Sequence, residues 1–417
     1  MFRLLVSAIL IPLCVQADNT YRLEVFGAAS KEMWNPKSVF NPTNRTLHVP
    51  SELLSVEVRP DIEVQLGEKH SMVWRSRHFG RLYREELKSP DEQRLRTDDP
   101  DDIPNFFLSS AWNDELSTTL GLQNYQWGPA EIASPSNPFY HFLNNQRSFF
   151  FIEKGRFLLR ANWNPDPNSN HWSVVGMLEP ENNRTRFWMA DQKFKPRSAI
   201  KVEYQFENPA NSVAWVGGQT DAQRGFFGEY FNWSPIEGQS LYGDLKHQMG
   251  RTNWVPVQDS FGFMNMERAL DRRVYTLAVF GYRWEGRVDF RQEFIWNEAG
   301  FSRAEWNKAM MASTALSPQI LANARRFALP GLEFRTRSYS YTSLRVPDLG
   351  RSKKAAAAVR WLTALEHDSS VLQLNFEYNL NDHMVITGEM LYFLGLPNKE
   401  FRLVSDSQQS LGFRWSY

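Results

Sequence analysis

SLGFRWSY, residues 410–417, alternates without a break. Leu411, Phe413, Trp415 and Tyr417 share one side, and Ser410, Gly412, Arg414 and Ser416 the other. A period of two marks a strand with one apolar face. A soluble domain seldom leaves such a strand at a fraying end. In a membrane barrel the last strand must seal against the first, because no open backbone edge is tolerated in lipid. The apolar side then meets lipid, while Gly412 and Arg414 turn to the lumen.

The contrast repeats along the chain. ELLSVEVRPDIEVQL (52–66) sets Leu54, Val56, Val58, Ile62, Val64 and Leu66 against Glu57, Arg59, Asp61, Glu63 and Gln65. GRFLLRANW sets Phe157, Leu159, Ala161 and Trp163 against Arg156, Arg160 and Asn162. GRVDFRQEFIW sets Val288, Phe290, Phe294 and Trp296 against Arg287, Asp289, Arg291 and Glu293. VLQLNFEYNL sets Leu372, Leu374, Phe376 and Tyr378 against Gln373, Asn375, Glu377 and Asn379.

Laid end to end, these segments predict an all-β chain, a single transmembrane antiparallel β-barrel of 16–18 strands, best counted as 18. The strands fall at 20–34, 51–66, 70–86, 104–113, 116–127, 155–164, 171–180, 198–207, 211–219, 224–233, 240–249, 273–284, 287–297, 332–345, 353–365, 370–380, 383–394 and 408–417. Connection lengths supply an independent check. Alternate junctions hold short turns such as LGEKH, NDEL, WEGR and NLND, while the others hold nearly all the long segments, 35–50, 87–103, 128–154, 181–197, 250–272, 298–331 and 395–407, with only QTDAQRG and EHDSS short among them. Short inner turns and long outer loops are the asymmetry of a bacterial outer-membrane barrel. A missing strand would scramble the two length classes. Within 298–331, a helix is expected with Ser302 as its cap and Pro318 bending or ending it.

Composition agrees. The first residues, MFRLLVSAILIPLCVQADN, carry Arg3, an apolar stretch from Leu4 to Val15, and Val15-Gln16-Ala17 before Asp18. That pattern reads as a signal peptide over 1–17, leaving 18–417 as the barrel domain. Cys14 is the sole cysteine and lies inside this leader, so no disulfide or thiolate chemistry is expected. Lys plus Arg and Asp plus Glu both total 47, so no global field favours nucleic acid. Aromatic residues make up 14% of the chain, with 15 Trp, in a sequence whose mean hydropathy is −0.50. No run of apolar residues after 17 is long enough for a helical span.

The register places a set of charges in the lumen: Arg22, Glu57, Arg59, Asp61, Arg75, Arg77, Arg156, Arg160, Arg287, Asp289, Arg291, Glu293, Glu377, Glu389 and Arg414. Lys201, Glu203, Asp244 and Lys246 share that side. Charges facing lipid cost roughly 2–4 kcal/mol at mid-bilayer, so a wet lumen is their natural place. They set ion selectivity in a pore, or pair off in a packed interior. The loop 128–154 is long and aromatic, and two placements are open: folded inward, with Tyr140, Phe142 and Arg147 narrowing the pore, or capping the mouth. The acidic RTDDPDDIP (96–104) lacks the spacing and terminal Glu of a calcium loop and reads as a solvated segment. The eight His show no paired metal spacing, G-x-S-x-G is absent, and no catalytic residue or cofactor is expected.

Three stretches carry a family resemblance: LGLQNYQWGPAEIASPSNPF (120–139), QEFIWNEAGFSRAEW (292–306) and FEYNLNDHMVITGEMLYFLG (376–395). By these the chain resembles bacterial outer-membrane channels of the alginate-export type and related porin-like families. The resemblance implies a large monomeric barrel that conducts a polar, saccharide-like solute. The mixed-charge lumen departs from the strongly basic one associated with alginate exporters. The expectation is therefore an outer-membrane porin-like channel for passive passage of small polar solutes or oligosaccharides. The alternative is a plugged surface-structural or adhesion barrel. Expected partners are outer-membrane lipid, the solute, and the barrel-insertion machinery reading the C-terminal strand.

Overall fold

The computed structural model describes residues 19–38, 43–44, 48–86, 93–98, 101–139, 155–166, 171–180, 197–219, 224–251, 254–258, 260, 264–268, 271–312 and 334–417. The expected leader over 1–17, and with it Cys14, lies outside them.

Strands account for most of the rest: β1 (Thr20–Trp34), β2 (Pro50–Gln65), β3 (His70–Glu86), β4 (Gln93–Asp98), β5 (Asp101–Ala111), β6 (Leu116–Gln123), β7 (Arg156–Trp163), β8 (Trp172–Glu179), β9 (Arg197–Gln205), β10 (Ser212–Gln219) and β11 (Gly225–Ile236). They continue as β12 (Gln239–Met249), β13 (Trp254–Gln258), β14 (Met264–Arg268), β15 (Val274–Glu285), β16 (Asp289–Asn297), β17 (Ser338–Leu349), β18 (Ala355–Ala364), β19 (Ser369–Asn379), β20 (Met384–Leu394) and β21 (Ser405–Ser416). One α-helix is described, α1 (Arg303–Ala312), and a short 3₁₀ turn at Glu400–Arg402.

Each strand of the wall pairs antiparallel with its predecessor, and β21 returns to β1. β4 and β5 lie one after the other along β3, and β13–β14 form a separate hairpin, so the barrel has 18 strands. Closure is built from backbone. Val25 registers with Trp415, Leu23 N donates to Tyr417 O at 3.0 Å, and Tyr417 N donates to Leu23 O at 2.9 Å. The terminal alternation is thus the closing seam.

Most boundaries fall within three residues of the dyad reading, and three strands differ by more; one of these is β6, which ends at Gln123 rather than 127, so that Trp127 belongs to the segment that follows it. The fourth wall position begins at Gln93 rather than 104, because β3 continues to Glu86 and its upper half pairs with β4. QRLRTD carries no dyad contrast that would reveal this. β17 starts at Ser338 rather than 332 and runs through Pro347 to Leu349, the proline sitting in a register shift between Val346 and Leu349. A bulge is one of the few places where a strand accepts proline.

The faces separate as the period of two requires. Ile200, Trp215, Phe227, Phe280, Phe294, Trp361, Phe376 and Leu411 are exposed on the outside. At the short-turn end, Trp112, Trp163, Trp172, Trp233, Trp284 and Tyr417 are exposed as a girdle, the position where amphipathic rings meet the membrane interface. A closed barrel with such an outer band satisfies every backbone group without water and is a transmembrane structure.

The buried apolar clusters lie inside the barrel. One gathers Leu158, Val175, Met177, Ala199, Ala214, Val216, Phe226 and Tyr230 from the inner faces of β7–β11. The other gathers Leu277, Val279, Ile295, Tyr339, Tyr341, Leu362, Val371 and Leu391 from β15–β20. Something must cover these inner faces, and a loop does.

Candidate functional site

The segment 124–139 leaves β6 and folds into the lumen. Trp127 and Phe139 pack on the β7–β11 cluster, while Ile132 and Ala133 pack on the β15–β20 cluster. Two wall carboxylates pin it. Glu293 on β16, fully buried, accepts from the backbone N–H of Glu131 at 2.6 Å, from that of Ile132 at 3.1 Å, and from the Tyr242 hydroxyl at 2.7 Å. Asp244 on β12, also fully buried, accepts from Ser136 N at 2.7 Å and from Ser134 Oγ at 3.0 Å. A carboxylate offers several acceptor sites, so each can anchor a turn that has no strand partner.

Local chemistry makes the turn fit. The Asn137 side chain accepts from Phe139 N at 3.0 Å and donates to Tyr125 O at 3.1 Å. Trp127 Nε1 donates to Ser136 Oγ at 3.1 Å. Gly128 has φ +90°, and a Cβ there would stand 2.4 Å from Asp244 Oδ2. Only glycine meets both demands.

The loop brings its own charge inward. Glu131 lies 3.3 Å from Arg291 Nε on β16 and 3.6 Å from Arg360 Nε on β18, and accepts from the Tyr341 hydroxyl at 3.0 Å. The side chains of Glu131, Arg291 and Arg360 keep 18%, 14% and 20% exposure, so solvent reaches this junction. Arg160 stands across the loop, its guanidinium 4.2 Å from the Tyr125 ring centroid and donating to Thr119 Oγ1 at 3.1 Å.

The other anticipated charges line the inner face mostly as pairs. Arg59 and Arg77 both donate to Glu57 Oε2 at 3.0 Å. Arg156 donates to Glu179 at 2.8 Å, with Arg197 3.6 Å away from the same carboxylate. Arg22 meets Glu24 at 2.7 Å, Arg75 meets Asp61 at 2.9 Å, and Arg283 donates to Asp289 at 2.8 Å. Glu389 accepts from Gln373 at 3.1 Å and Asn375 at 3.0 Å. Glu377 and Arg414 take lumen-facing register positions, opposite Thr387 and Val385 on β20. Arg287 does not; it stands exposed in the tight turn between β15 and β16, one residue pair beyond the last ladder partners. Tyr140, Phe142 and Arg147 lie outside the described residues.

The inward fold is carried by residues the dyad pattern could not rank: Trp127, Glu131, Ser134, Ser136 and Asn137. WGP and SPSNP marked a turn-rich loop. No short-range signal tied it to Asp244 or Glu293, which are 108 and 162 residues away.

At the long-loop end, α1 packs on the turn between β18 and β19. α1 opens with a capping box, Glu305 N donating to Ser302 Oγ at 3.3 Å and Ser302 N to Glu305 Oε2 at 2.8 Å. Trp306 is fully buried, tilted over His367 at 4.8 Å between ring centroids, and donates to Asn398 O at 3.2 Å. Burial pushes the His367 imidazole down to about 4, with Lys399 and Arg303 adding to the shift. Burial also pushes the Glu400 carboxyl up, against the pull of Arg335 and the hydrogen bonds from Tyr339 and Thr336. Glu305 is held below the usual carboxylate range: its burial acts upward, but donors from Ser302 and Arg251 outweigh it. Among the described residues no cluster of three or more His, Cys, Asp or Glu could hold a metal ion.

No family model matches the chain, and no curated protein matches it in sequence. Solved structures do match in shape. OccAB1 of Acinetobacter baumannii aligns with a TM-score of 0.58 at 8% identity, covering 96% of this chain and 97% of that one. A BenF-like porin from Pseudomonas fluorescens Pf-5 aligns at 0.56 and 9% identity, covering 97% and 100%. OccK7 (OpdD) of Pseudomonas aeruginosa aligns at 0.55 and 10% identity, covering 96% and 99%. At such identities the likeness establishes the fold: a full-length barrel of the shape these proteins have.

Proposed function

We propose that the protein is a porin-like channel of the bacterial outer membrane, passing small polar or saccharide-like solutes by diffusion through a mixed-charge lumen. The observation that carries this is the Glu131–Arg291–Arg360 junction. An inward loop, seated on two buried carboxylates, presents a salt-bridged, solvent-reached cluster where it meets the wall. A rigid narrowing of fixed charge is what a selective pore requires, and what a merely structural barrel does not. The similar barrel from Pseudomonas fluorescens is itself described as a porin, which supports the reading.

The signal at 1–17 and insertion through the C-terminal strand belong to the same proposal, as does the view that the protein is a channel rather than an enzyme. Arg59 and Arg77 share Glu57, Arg156 and Arg197 share Glu179, and Arg291 and Arg360 share Glu131, so each of these clusters holds two cations to one carboxylate. Arg22, Arg75 and Arg283 are each paired with a carboxylate of their own, so the lumen is mixed in charge rather than uniformly basic, which supports small polar solutes over the polyanion that an alginate-export relationship would imply.

A plugged surface barrel is the second reading. The apolar packing of Trp127, Ile132 and Phe139 inside the lumen favours it. Planar-bilayer recordings of the refolded chain separate the two: discrete conductance steps support the channel, and silence from folded protein supports the plug.

A further inference from the structure

The outer wall carries a feature that the lumen chemistry does not use. A concave groove of about 920 Å³ crosses the lipid-facing side over the closing seam, from β19 through β20, β21, β1 and β2 to β3. Two register rows build it. Phe376, Gly388, Leu411, Ala29, Leu54 and Leu82 are successive cross-strand partners, and all are apolar. The neighbouring row runs Leu374, Met390, Gln409, Lys31, Glu52 and Arg84, turning from apolar to charged. Depth comes from small residues. A Cβ on Gly388 would meet nothing within 4 Å, and Ala29 is the only side chain between Leu411 and Leu54.

Barrel strands tilt by ~35–45°, so a register row climbs through the membrane. Leu374 lies five residues from the short-turn end of β19, whereas Arg84 lies fourteen from that of β3. The groove therefore begins deep in the apolar wall and opens at the long-loop rim. Its charged end marks the interface. Tyr21 and Lys31, Ile62 and Glu52, and Trp74 and Arg84 are each ten residues apart, which on tilted strands is about 25 Å, the height of the apolar band.

Glu52 accepts a hydrogen bond from Arg84, which also stands 4.0 Å from Glu86. Lys31 is exposed, and no carboxylate pairs with it among the described residues. Lys31 stands opposite Glu52 in the β1–β2 register but within ion-pair distance of no carboxylate among the described residues, so its ammonium is available to the anionic head of a lipid whose acyl chain lies in the trench. Glu52, set between the two cations, repels a head of higher negative charge.

We propose that this groove binds an acyl chain of a phosphate-bearing lipid from the outward leaflet, with Lys31 holding the phosphate and Arg84 beside it. The site rests on the barrel spanning a membrane and not on conduction, so its test leaves the channel reading untouched.

The test is native mass spectrometry of the purified barrel in neutral detergent, with dioleoyl phosphatidylglycerol or with dioleoylglycerol, which has the same chains and no phosphate. Heat-modifiable migration confirms that each variant is folded. The expected result is a persistent phosphatidylglycerol adduct, at least tenfold weaker with dioleoylglycerol, about tenfold weaker in Lys31→Gln, and lost in Gly388→Trp. Should Gly388→Trp fail to fold, Ala29→Phe fills the same trench. Undiminished adducts in the filled-groove variant would overturn the site. Equal binding of the two lipids, or no effect of Lys31→Gln, would overturn the phosphate assignment. Dimers cross-linked through Gly388→Cys in phosphatidylglycerol nanodiscs would give the groove to a second copy instead.

Discussion

Glu293 and Asp244 are acidic residues buried inside a membrane protein, and the backbone turns they hold explain why. Each satisfies N–H groups of a loop that has no strand partner, and leaving such a group unmade costs roughly 1–3 kcal/mol. Glu293→Ala removes the acceptor for Glu131 N, Ile132 N and the Tyr242 hydroxyl. The expected outcome is a loosened loop and, in planar bilayers, a larger and noisier unitary conductance from a barrel that still migrates as folded. Unchanged conductance would mean that the loop does not narrow the path. The Glu131 junction makes a second prediction. Arg360→Glu reverses one charge beside a solvent-reached carboxylate, so the zero-current potential in a salt gradient should move toward cation preference. Both anchors could be assigned to the lumen from parity alone. Their role could not, because the partner turn is more than a hundred residues away.

Among elements, the strands were legible and the loops were not. A wall strand between lipid and lumen has to alternate, so sequence pattern and structure follow the same constraint. β4 escaped because QRLRTD sits toward the long-loop rim, where lipid no longer demands an apolar face. α1 was legible through its cap, since Ser302 and Glu305 stand at capping-box spacing. Ser302→Ala should cost the helix about 1 kcal/mol and speed amide exchange over 303–312 with little effect elsewhere.

The packing of α1 on the turn between β18 and β19 should also respond to acid. His367 is neutral when packed under Trp306, with its pKa lowered from 6.5 to about 4. The released state takes up the proton first, so the packed state loses stability as pH falls from about 6.5 toward about 4. Glu305, depressed by its partners, loses stability in the same direction at lower pH, while Glu400, raised by burial, acts oppositely. Hydrogen exchange of α1 should accelerate across that window in the natural chain. In His367→Phe, which keeps a ring against Trp306, the His367 contribution should be absent.

For the whole molecule, closure is the governing fact. β21 holds both β20 and β1, so it is at once the last strand and the seam. A chain ending before Ser405 leaves two open edges in lipid and should give no heat-modifiable species, whereas a truncated soluble domain would often keep a folded core. The seam also positions the outer groove, so one region of the wall both closes the barrel and forms its proposed lipid site. The eighteen-strand count and the inner–outer asymmetry were readable because they repeat. The filling of the lumen was not, because it depends on where a single loop comes to rest.

The most direct measurement is single-channel recording of the refolded chain in a planar bilayer under a salt gradient. Discrete steps with weak ion preference, shifted by Arg360→Glu, are the predicted result. Silence from protein that shows heat-modifiable β-structure would contradict the channel and leave a barrel closed by its own loop.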